Sequence, residues 1–352
     1  MKIQEKYIKR CIQLAKNGLG TTYTNPLVGS VIVHNNIIIG EGWHQKAGEA
    51  HAEVNAVNSV VNKDLLKEST IYVSLEPCSH FGKTPPCCDL IIQQQIPNIV
   101  VGTIDTFAKV AGNGIKRLKE AGRNVTVGIL EEECRALNQR FFTFHQEKRP
   151  FIILKWAESK DGFIGPAHKD EKRPVWITNP YSRQLVHKWR SEEQAIVVGT
   201  NTVIDDNPIL NVRDWTGNNP IRIVIDRHLR IPKDHAVYNG VIKTIFITAQ
   251  KTASNNPLLQ YEVIDFDKNI AQQIVTILYE NEIQSVIIEG GKQTLQTFID
   301  QNLWDEARIF KGTNLLHNGT LAPILKGIPV EKMAIINDEL LIYKNHDKHN
   351  YF

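Results

Sequence analysis

Apolar positions recur along this chain with two periods that alternate through most of its length. Residues 3–17 repeat every three to four positions, with Tyr7, Cys11, Leu14 and Ala15 on one face and Gly18 beyond them, which predicts a helix. A loop over 23–28 then leads into an apolar run ending at Val33, and Asn35 and Asn36 turn the chain into a second run at 37–40, a hairpin pattern. The two periods then take turns. Helical spacing covers 51–61, 87–95, 114–121 and 131–146, the last with Leu137, Phe141 and Phe144 on its apolar side. Strand-length apolar runs cover 70–75, 98–104 and 125–128. Such alternation predicts an α/β layer with helices covering a mixed sheet.

The pattern is interrupted once, at Glu147, Lys148, Arg149 and Pro150, where charge and a proline precede a fresh apolar run. That interruption predicts a domain boundary, with units over 1–147 and 148–352. Beyond it, strands are expected at 151–156, 195–198, 221–225, 244–248, 285–288 and 306–311. Helices fall at 180–190, 270–281 and 292–301, and a hairpin closes the pattern at 334–344. This second unit is again α/β and largely parallel. No G-x-G-x-x-G follows any of its strands, so a Rossmann dinucleotide domain is unsupported.

Composition adds bounds. At 352 residues and 42% apolar content the chain can bury two sizeable cores. Its 41 basic and 38 acidic residues leave a net charge of +3 with no basic block, which argues against a dedicated nucleic-acid binder. No stretch approaches the roughly 20 apolar residues of a membrane span, and the N-terminus lacks an apolar core of signal-peptide length. A soluble, cytoplasmic protein is expected. Of five cysteines, Cys78, Cys87 and Cys88 crowd together, which in a reducing compartment speaks for metal before disulfide. Cys11 and Cys134 read as small buried hydrophobes, and Cys88 as a neighbour packed behind the cluster.

The candidate chemistry gathers at His51, Cys78 and Cys87. His51 and Cys87 each open a helix, where the dipole favours anions and the thiolate form, and Cys78 follows Pro77 at the end of a strand. One imidazole and two thiolates leave a fourth tetrahedral position open, the catalytic zinc arrangement; a structural site would need a fourth protein ligand, for which His44 and His80 are the nearby candidates. Glu53 is then the natural carboxylate to shuttle protons. The zinc deaminases pair H-x-E with P-C-x-x-C, but here eight residues separate the cysteines. Asn25 is either a turn residue or a reader of a pyrimidine edge, since an amide both donates and accepts. In the second half, Glu289, Gly290 and Gly291 between a strand and a helix would admit a phosphate, or simply turn the chain into the helix. Asp205, Asp206 and Arg190 are equally open between turn or helix-end chemistry and binding.

Residues 75–89 (LEPCSHFGKTPPCCD), Asn25 to Gly29 (NPLVG) and the spacing of His44, Gly48, His51 and Glu53 together resemble the bifunctional deaminase–reductase family of riboflavin biosynthesis, long cysteine spacing included. Lys155 to Gly162 (KWAESKDG), the stretches beginning at Trp176 and Val198, 206–213 (DNPILNVR) and 288–291 (IEGG) resemble that family's reductase domain. The resemblance covers nearly the whole chain and thins after residue 325. It implies a cytidine-deaminase-like three-layer α/β/α domain followed by a dihydrofolate-reductase-like α/β domain. It also implies zinc on His51, Cys78 and Cys87, Glu53 as proton shuttle, and a phosphorylated ribosylamino-diaminopyrimidinone that loses its 2-amino group as ammonia. NADPH would then deliver hydride to the ribose C1′. Cofactor contacts carry over to Ala157, Trp176, Thr202, Asp206 and the segment Gly291, Lys292, Gln293, Thr294, Leu295, Gln296, Thr297, with Arg227 a candidate for the 2′-phosphate. Reductase substrate contacts carry over to Arg190, Leu210, Arg213 and Glu289, with Lys155 polarising the sugar. On the deaminase side Asn25, His44, His80, Lys83 and Asp105 are the candidates. A homo-oligomer, dimer or tetramer, is expected, with no nucleic-acid or membrane partner.

The chain departs from the family in three places: Ala50 stands where proline is usual, Thr106 to Ala108 replace Pro-Asn-Pro, and Pro174 replaces a serine. A nucleoside or tRNA deaminase with a fused module is a rival that absence of the second-half motifs would favour. A zinc-stabilised binding protein is another, distinguished by a fourth protein ligand and indifference to loss of Glu53.

Overall fold

The computed structural model describes residues 3–79, 85–105, 112–168 and 175–345; His80, Lys83, Pro174 and residues 106–108 lie outside them. The chain divides into two units, Met1–Glu147 and Lys148–Phe352, each with its own sheet.

In the first unit, strands β1 (Gly29–His34) and β2 (Ile37–Trp43) form a hairpin. Its two turn residues, Asn35 and Asn36, have φ of 47° and 62°, a left-handed conformation that asparagine tolerates and that suits the twist of a two-residue hairpin. With β3 (Thr70–Leu75), β4 (Asn98–Thr103) and β5 (Asn124–Val127) the sheet order is β2-β1-β3-β4-β5, antiparallel up to β3 and parallel beyond it. Among the described residues six helices cover it: α1 (Ile3–Ala15), α2 (Ala52–Ser59), α3 (Cys87–Gln93), α4 (Asn113–Glu120), α5 (Glu131–Leu137) and α6 (Gln139–Glu147). Alternation along the strands sorts the layers. Val31, Val33, Tyr72 and Val100 face α1 and Cys134 of α5. Ile32, Ile71, Val73, Ile99 and Val101 face α2, α3 and α4. The result is a three-layer α/β/α domain. Cys11 and Cys134 are buried in it as small apolar groups, and Cys88 sits in the α2–α4 layer.

One helix expected over 131–146 is two. The break falls at Asn138, whose side-chain amide accepts from the Leu27 N–H (2.7 Å) and donates to the Leu27 carbonyl (2.9 Å). Asparagine leaves the helical path to hold a backbone 111 residues away, and that backbone carries Asn25.

The second unit contains β6 (Phe151–Glu158), β7 (Phe163–Pro166), β8 (Ala195–Gly199), β9 (Ile221–Ile225), β10 (Thr244–Thr248), β11 (Leu259–Val263), β12 (Ser285–Ile288), β13 (Glu306–Lys311), β14 (Gly319–Leu321), β15 (Glu331–Ile335) and β16 (Asp338–Lys344). Its helices are α7 (Pro180–Glu192), α8 (Thr200–Asp206), α9 (Ile270–Glu280) and α10 (Lys292–Asp300). Nine strands run in the order β11-β10-β9-β8-β12-β6-β13-β16-β15, parallel as far as β13 and antiparallel through the last hairpin. Helices α9 and α10 bury one face against Leu154, Val197, Ile245 and Ile288. Helices α7 and α8 cover the other, against Ile153, Ile287, Val198 and Val224. No helix among the described residues is long and apolar enough to cross a membrane.

Four elements of this unit were not expected from the pattern: β7, β11, β14 and α8. β7 and β14 are short, carry glycine or proline, and pair only with each other. β11 is a partly exposed edge strand. α8 (TNTVIDD) is built from β-branched residues, which lose χ1 freedom in a helix, and Asx residues, which favour caps over helix interiors.

A buried ion pair fixes the start of β6. Asp305 accepts both Arg149 terminal nitrogens at 2.6 Å and also the Ile152 N–H at 2.8 Å. Replacing one partner of such a pair strands the other's charge, so Asp305→Asn is expected to cost the second unit about 3 kcal/mol. Urea unfolding checks this, and a midpoint equal to wild type would refute it.

Candidate functional site

At the C-terminal end of β3 the chain runs into Glu76, Pro77 and Cys78, while α2 and α3 begin beside it. His51 is the N-cap of α2, and Cys87 is the first residue of α3. His51 Nδ1 lies 3.5 Å from Cys78 Sγ and 3.3 Å from Cys87 Sγ, and the three donor atoms all lie within 4.8 Å of one another. Two bonds of about 2.0 and 2.3 Å meeting at a tetrahedral metal span about 3.5 Å, so one ion can take all three donors. Among the described residues no fourth His, Cys, Asp or Glu joins this group.

The charges are already arranged for a cation. The Cys87 thiol donates to Cys78, and with His51 and the Cys87 backbone N–H it holds the Cys78 thiol well below its usual range. That same hydrogen bond, together with burial, raises Cys87. The Cys78 thiolate in turn raises His51. Glu53 is buried in the first turn of α2, and burial, then the charge of Cys78, pushes its carboxyl up to about 7. A carboxyl with that pKa can take up and give back a proton near neutral pH.

His51, Glu53 and Cys78 open on a cavity of about 290 Å³ that Asn25, His44 and Asp105 also line. His44 Nδ1 lies 3.1 Å from the Ala50 carbonyl, which can only accept, so the neutral ring carries its proton there. Its Nε2 then accepts from Asn25 Nδ2 at 3.0 Å. Burial lowers the His44 pKa, which keeps this neutral form. His44 is therefore committed to Asn25 and Ala50. Phe141 and His145, with ring centroids 4.4 Å apart, also line it; the sequence shows Phe141 only as an apolar helix position, and the i,i+4 spacing of the two was the available signal for the pair.

In the second unit Lys155, Arg190 and Glu289 meet on the α7 face of the sheet. Glu289 follows β12 and accepts from Arg190 Nε (3.0 Å) and Nη2 (2.7 Å), with Lys155 Nζ at 3.8 Å. Burial works against its ionisation, but Arg190 and then Lys155 hold it down at about 2. Burial lowers Lys155. His187, one turn before Arg190 on α7, was also missed. It accepts the Arg213 backbone N–H at Nδ1 (3.4 Å) and lies 3.3 Å from the Asp214 carboxylate, and burial pushes it down to about 4. Arg213 is half-exposed, while Leu210 is buried in the α8 layer with φ of 56°.

A larger cavity, about 1060 Å³, opens at the C-terminal ends of β8, β9 and β12. Thr202, Asp206, Arg227, Gly291, Lys292, Gln293, Thr294, Gln296 and Thr297 line it. Leu295 instead turns into the core, and Ala157 and Trp176 are not among the lining residues; Trp176 is half-exposed beneath the Arg183 guanidinium. A Cβ on Gly290 would lie 2.5 Å from Val198 Cα, so only glycine lets the chain leave β12 this close to β8. Gly291 then caps α10, its N–H bound to Thr202 Oγ1 at 2.9 Å. Bare backbone at a helix start, with Arg227, Arg230 and Lys292 on the rim, suits a phosphorylated dinucleotide. Arg227 is shared with Asp267 at 3.2 Å.

The fold and these two sites define a zinc-dependent deaminase domain joined to a dihydrofolate-reductase-like domain. Family models agree: residues 1–103 match the cytidine and deoxycytidylate deaminase zinc-binding region, and 150–327 match the RibD C-terminal domain. The chain belongs to the family of riboflavin biosynthesis protein RibD, the bifunctional deaminase–reductases of that pathway, and its cofactors are zinc and NADPH. It is 37% identical to the Aquifex aeolicus RibD protein, covering 97% of this chain and 98% of that one. With the Escherichia coli RibD protein it shares 35% identity over 94% and 93%. The Thermotoga maritima diaminohydroxyphosphoribosylaminopyrimidine deaminase/5-amino-6-(5-phosphoribosylamino)uracil reductase superposes with a TM-score of 0.88 at 35% identity, over 97% of this chain and 98% of that one.

Proposed function

We propose that the first unit hydrolyses the 2-amino group from 2,5-diamino-6-(5-phosphoribosylamino)pyrimidin-4(3H)-one. The second then reduces the ribosyl side chain of the resulting aminouracil to the ribitylamino product. The observation that carries this reading is the convergence of His51, Cys78 and Cys87 beside a buried Glu53 on a chain that also holds the Gly291 dinucleotide cradle.

In the first site, His51, Cys78 and Cys87 would hold the zinc, which when bound would supply the Lewis acidity that makes water nucleophilic near neutral pH. Glu53 takes the proton of that water and returns it to the departing nitrogen, so that water and the C–NH2 bond become a carbonyl and ammonia. Asn25, oriented by the neutral His44, reads the polar edge of the pyrimidine. Asp105 meets the ribose phosphate side, with His80 and Lys83 assigned to the same end from the sequence alone. In the second site, the cavity at Gly291 would hold NADPH, which when bound would supply the hydride. Lys155 polarises the sugar carbon that receives it, Glu289 fixes both Lys155 and Arg190, and Arg190 with Arg213 takes the substrate phosphate. Arg227 takes the cofactor's 2′-phosphate. The working form is a cytoplasmic homo-oligomer that engages neither nucleic acid nor membrane.

The test follows ammonia release and NADPH oxidation together, with and without a zinc chelator. Both signals are expected from the diaminopyrimidinone substrate. Chelation should abolish both, yet leave NADPH oxidation intact when the deaminated aminouracil is supplied directly. Ammonia without NADPH oxidation would overturn the second assignment, and neither signal would overturn both.

A further inference from the structure

Glu76 stands between strand β3 and the metal-donor Cys78, and the reaction just described gives it no part. It is buried at 5% exposure, although its side chain is a carboxylate. Its Oε1 accepts the N–H groups of Gly114 (2.8 Å) and Ile115 (3.2 Å), and its Oε2 those of Gly112 (3.0 Å) and Asp105 (3.3 Å). Three of these donors are the free N–H groups at the start of α4, where a negative charge is favoured by the helix dipole. The fourth belongs to the residue that ends the β4 exit. One side chain thus fastens two segments to the loop that carries Cys78.

The surrounding packing admits little adjustment. A Cβ on Gly114 would fall 2.2 Å from the Pro77 carbonyl oxygen, so α4 begins in direct contact with the metal-donor loop. The Cys88 thiol donates to that same carbonyl at 3.3 Å, which ties the residue after Cys87 to the residue before Cys78. Glu76 also lines the first cavity together with Asp105.

We infer that Glu76 is a positioning residue of the first site: its carboxylate sets the distance between the metal donors and Asp105, and thereby between the reacting carbon and the ribose phosphate of the substrate. This rests on the reading of that site as a deaminase for a phosphorylated pyrimidine. The role requires a group that accepts at both terminal atoms. A glutamine has the same shape, but one of its ends is an NH2 that would face N–H donors, so one pair of bonds is lost.

The experiment uses the zinc-loaded full chain carrying Glu76→Gln. Zinc content should equal wild type, because none of the three metal donors is altered. Amide hydrogen exchange at Asp105, Gly112, Gly114 and Ile115 should accelerate by about tenfold or more, as expected for loss of charge-assisted bonds. The KM for the phosphorylated substrate should rise by about tenfold, with kcat within about threefold. Glu76→Asp, which keeps both acceptors on a shorter arm, should give an intermediate KM, and it serves in place of the glutamine variant should that one fail to fold. Unchanged amide exchange would overturn the proposal, and so would a fall in kcat at constant KM, which would place Glu76 at the reacting atoms. If wild type itself releases no ammonia from this substrate, the functional reading fails, while the exchange measurement still decides whether Glu76 holds the two segments.

Discussion

Glu53→Gln is expected to keep zinc in the first site and lower ammonia release by about 10³-fold or more, the usual worth of a well-placed acid–base group. Glutamine preserves the volume and the hydrogen-bonding reach of the side chain within α2, so His51, Cys78 and Cys87 stay in place. What it cannot do is hold a proton. Glu53 can, because burial raises its carboxyl to about 7, into the range where both protonation states are accessible. Zinc analysis and a coupled ammonia assay on the same preparation check the prediction. Oxidation of NADPH with the deaminated intermediate supplied directly should be unchanged. Ammonia release within tenfold of wild type would mean that some other group moves the proton.

Glu289→Gln should strike the other unit, and in two ways. Removing the carboxylate leaves the Arg190 and Lys155 cations facing each other in a buried setting. The folded-state pKa of Glu289 is depressed from an ordinary value of 4.5 to about 2, which corresponds to about 3 kcal/mol of stability. The sign follows from the depression. The contribution is complete above the unfolded value, falls as pH drops below 4.5, and is gone below about 2. Wild type should therefore outlast the variant in urea at pH 7, and the gap should close as the solution is acidified toward pH 2. NADPH oxidation should fall by about 10²-fold, since Lys155 and Arg190 lose the group that orients them. Ammonia release should be unaffected. A stability gap independent of pH would show that Glu289 acts through packing instead of charge.

Much of this was legible in the sequence because it is local. His51 and Glu53 sit two apart at a helix start, Cys78 ends a strand, and Cys87 opens a helix, so element boundaries and donor types could be read together. The layer order follows from alternation along β1, β3 and β4, which any apolar periodicity exposes. The missed features act across the chain. Asn138 breaks a predicted helix to hold Leu27, His187 fixes the backbone of Arg213, and Glu76 gathers amides from residues 105 to 115. Each role depends on which backbone donors the fold leaves free nearby, and such donors have no letter in the sequence. Short elements fail for a different reason. β7 and β14 are held by each other, so neither carries a signal strong enough to be seen alone.

The two bonds between Asn138 and Leu27 bear on how this deaminase could be carved out as a portable module. Its three metal donors and Glu53 all lie before residue 88, and the matched deaminase region ends at residue 103. A fragment cut there, or after β5, would hold every reactive group and still lack the Phe141–His145 wall of its cavity. The loop presenting Asn25 would also lose its anchor. The structural minimum of this pocket is therefore longer than its signature, and comparisons that stop at the signature leave out part of the cavity wall.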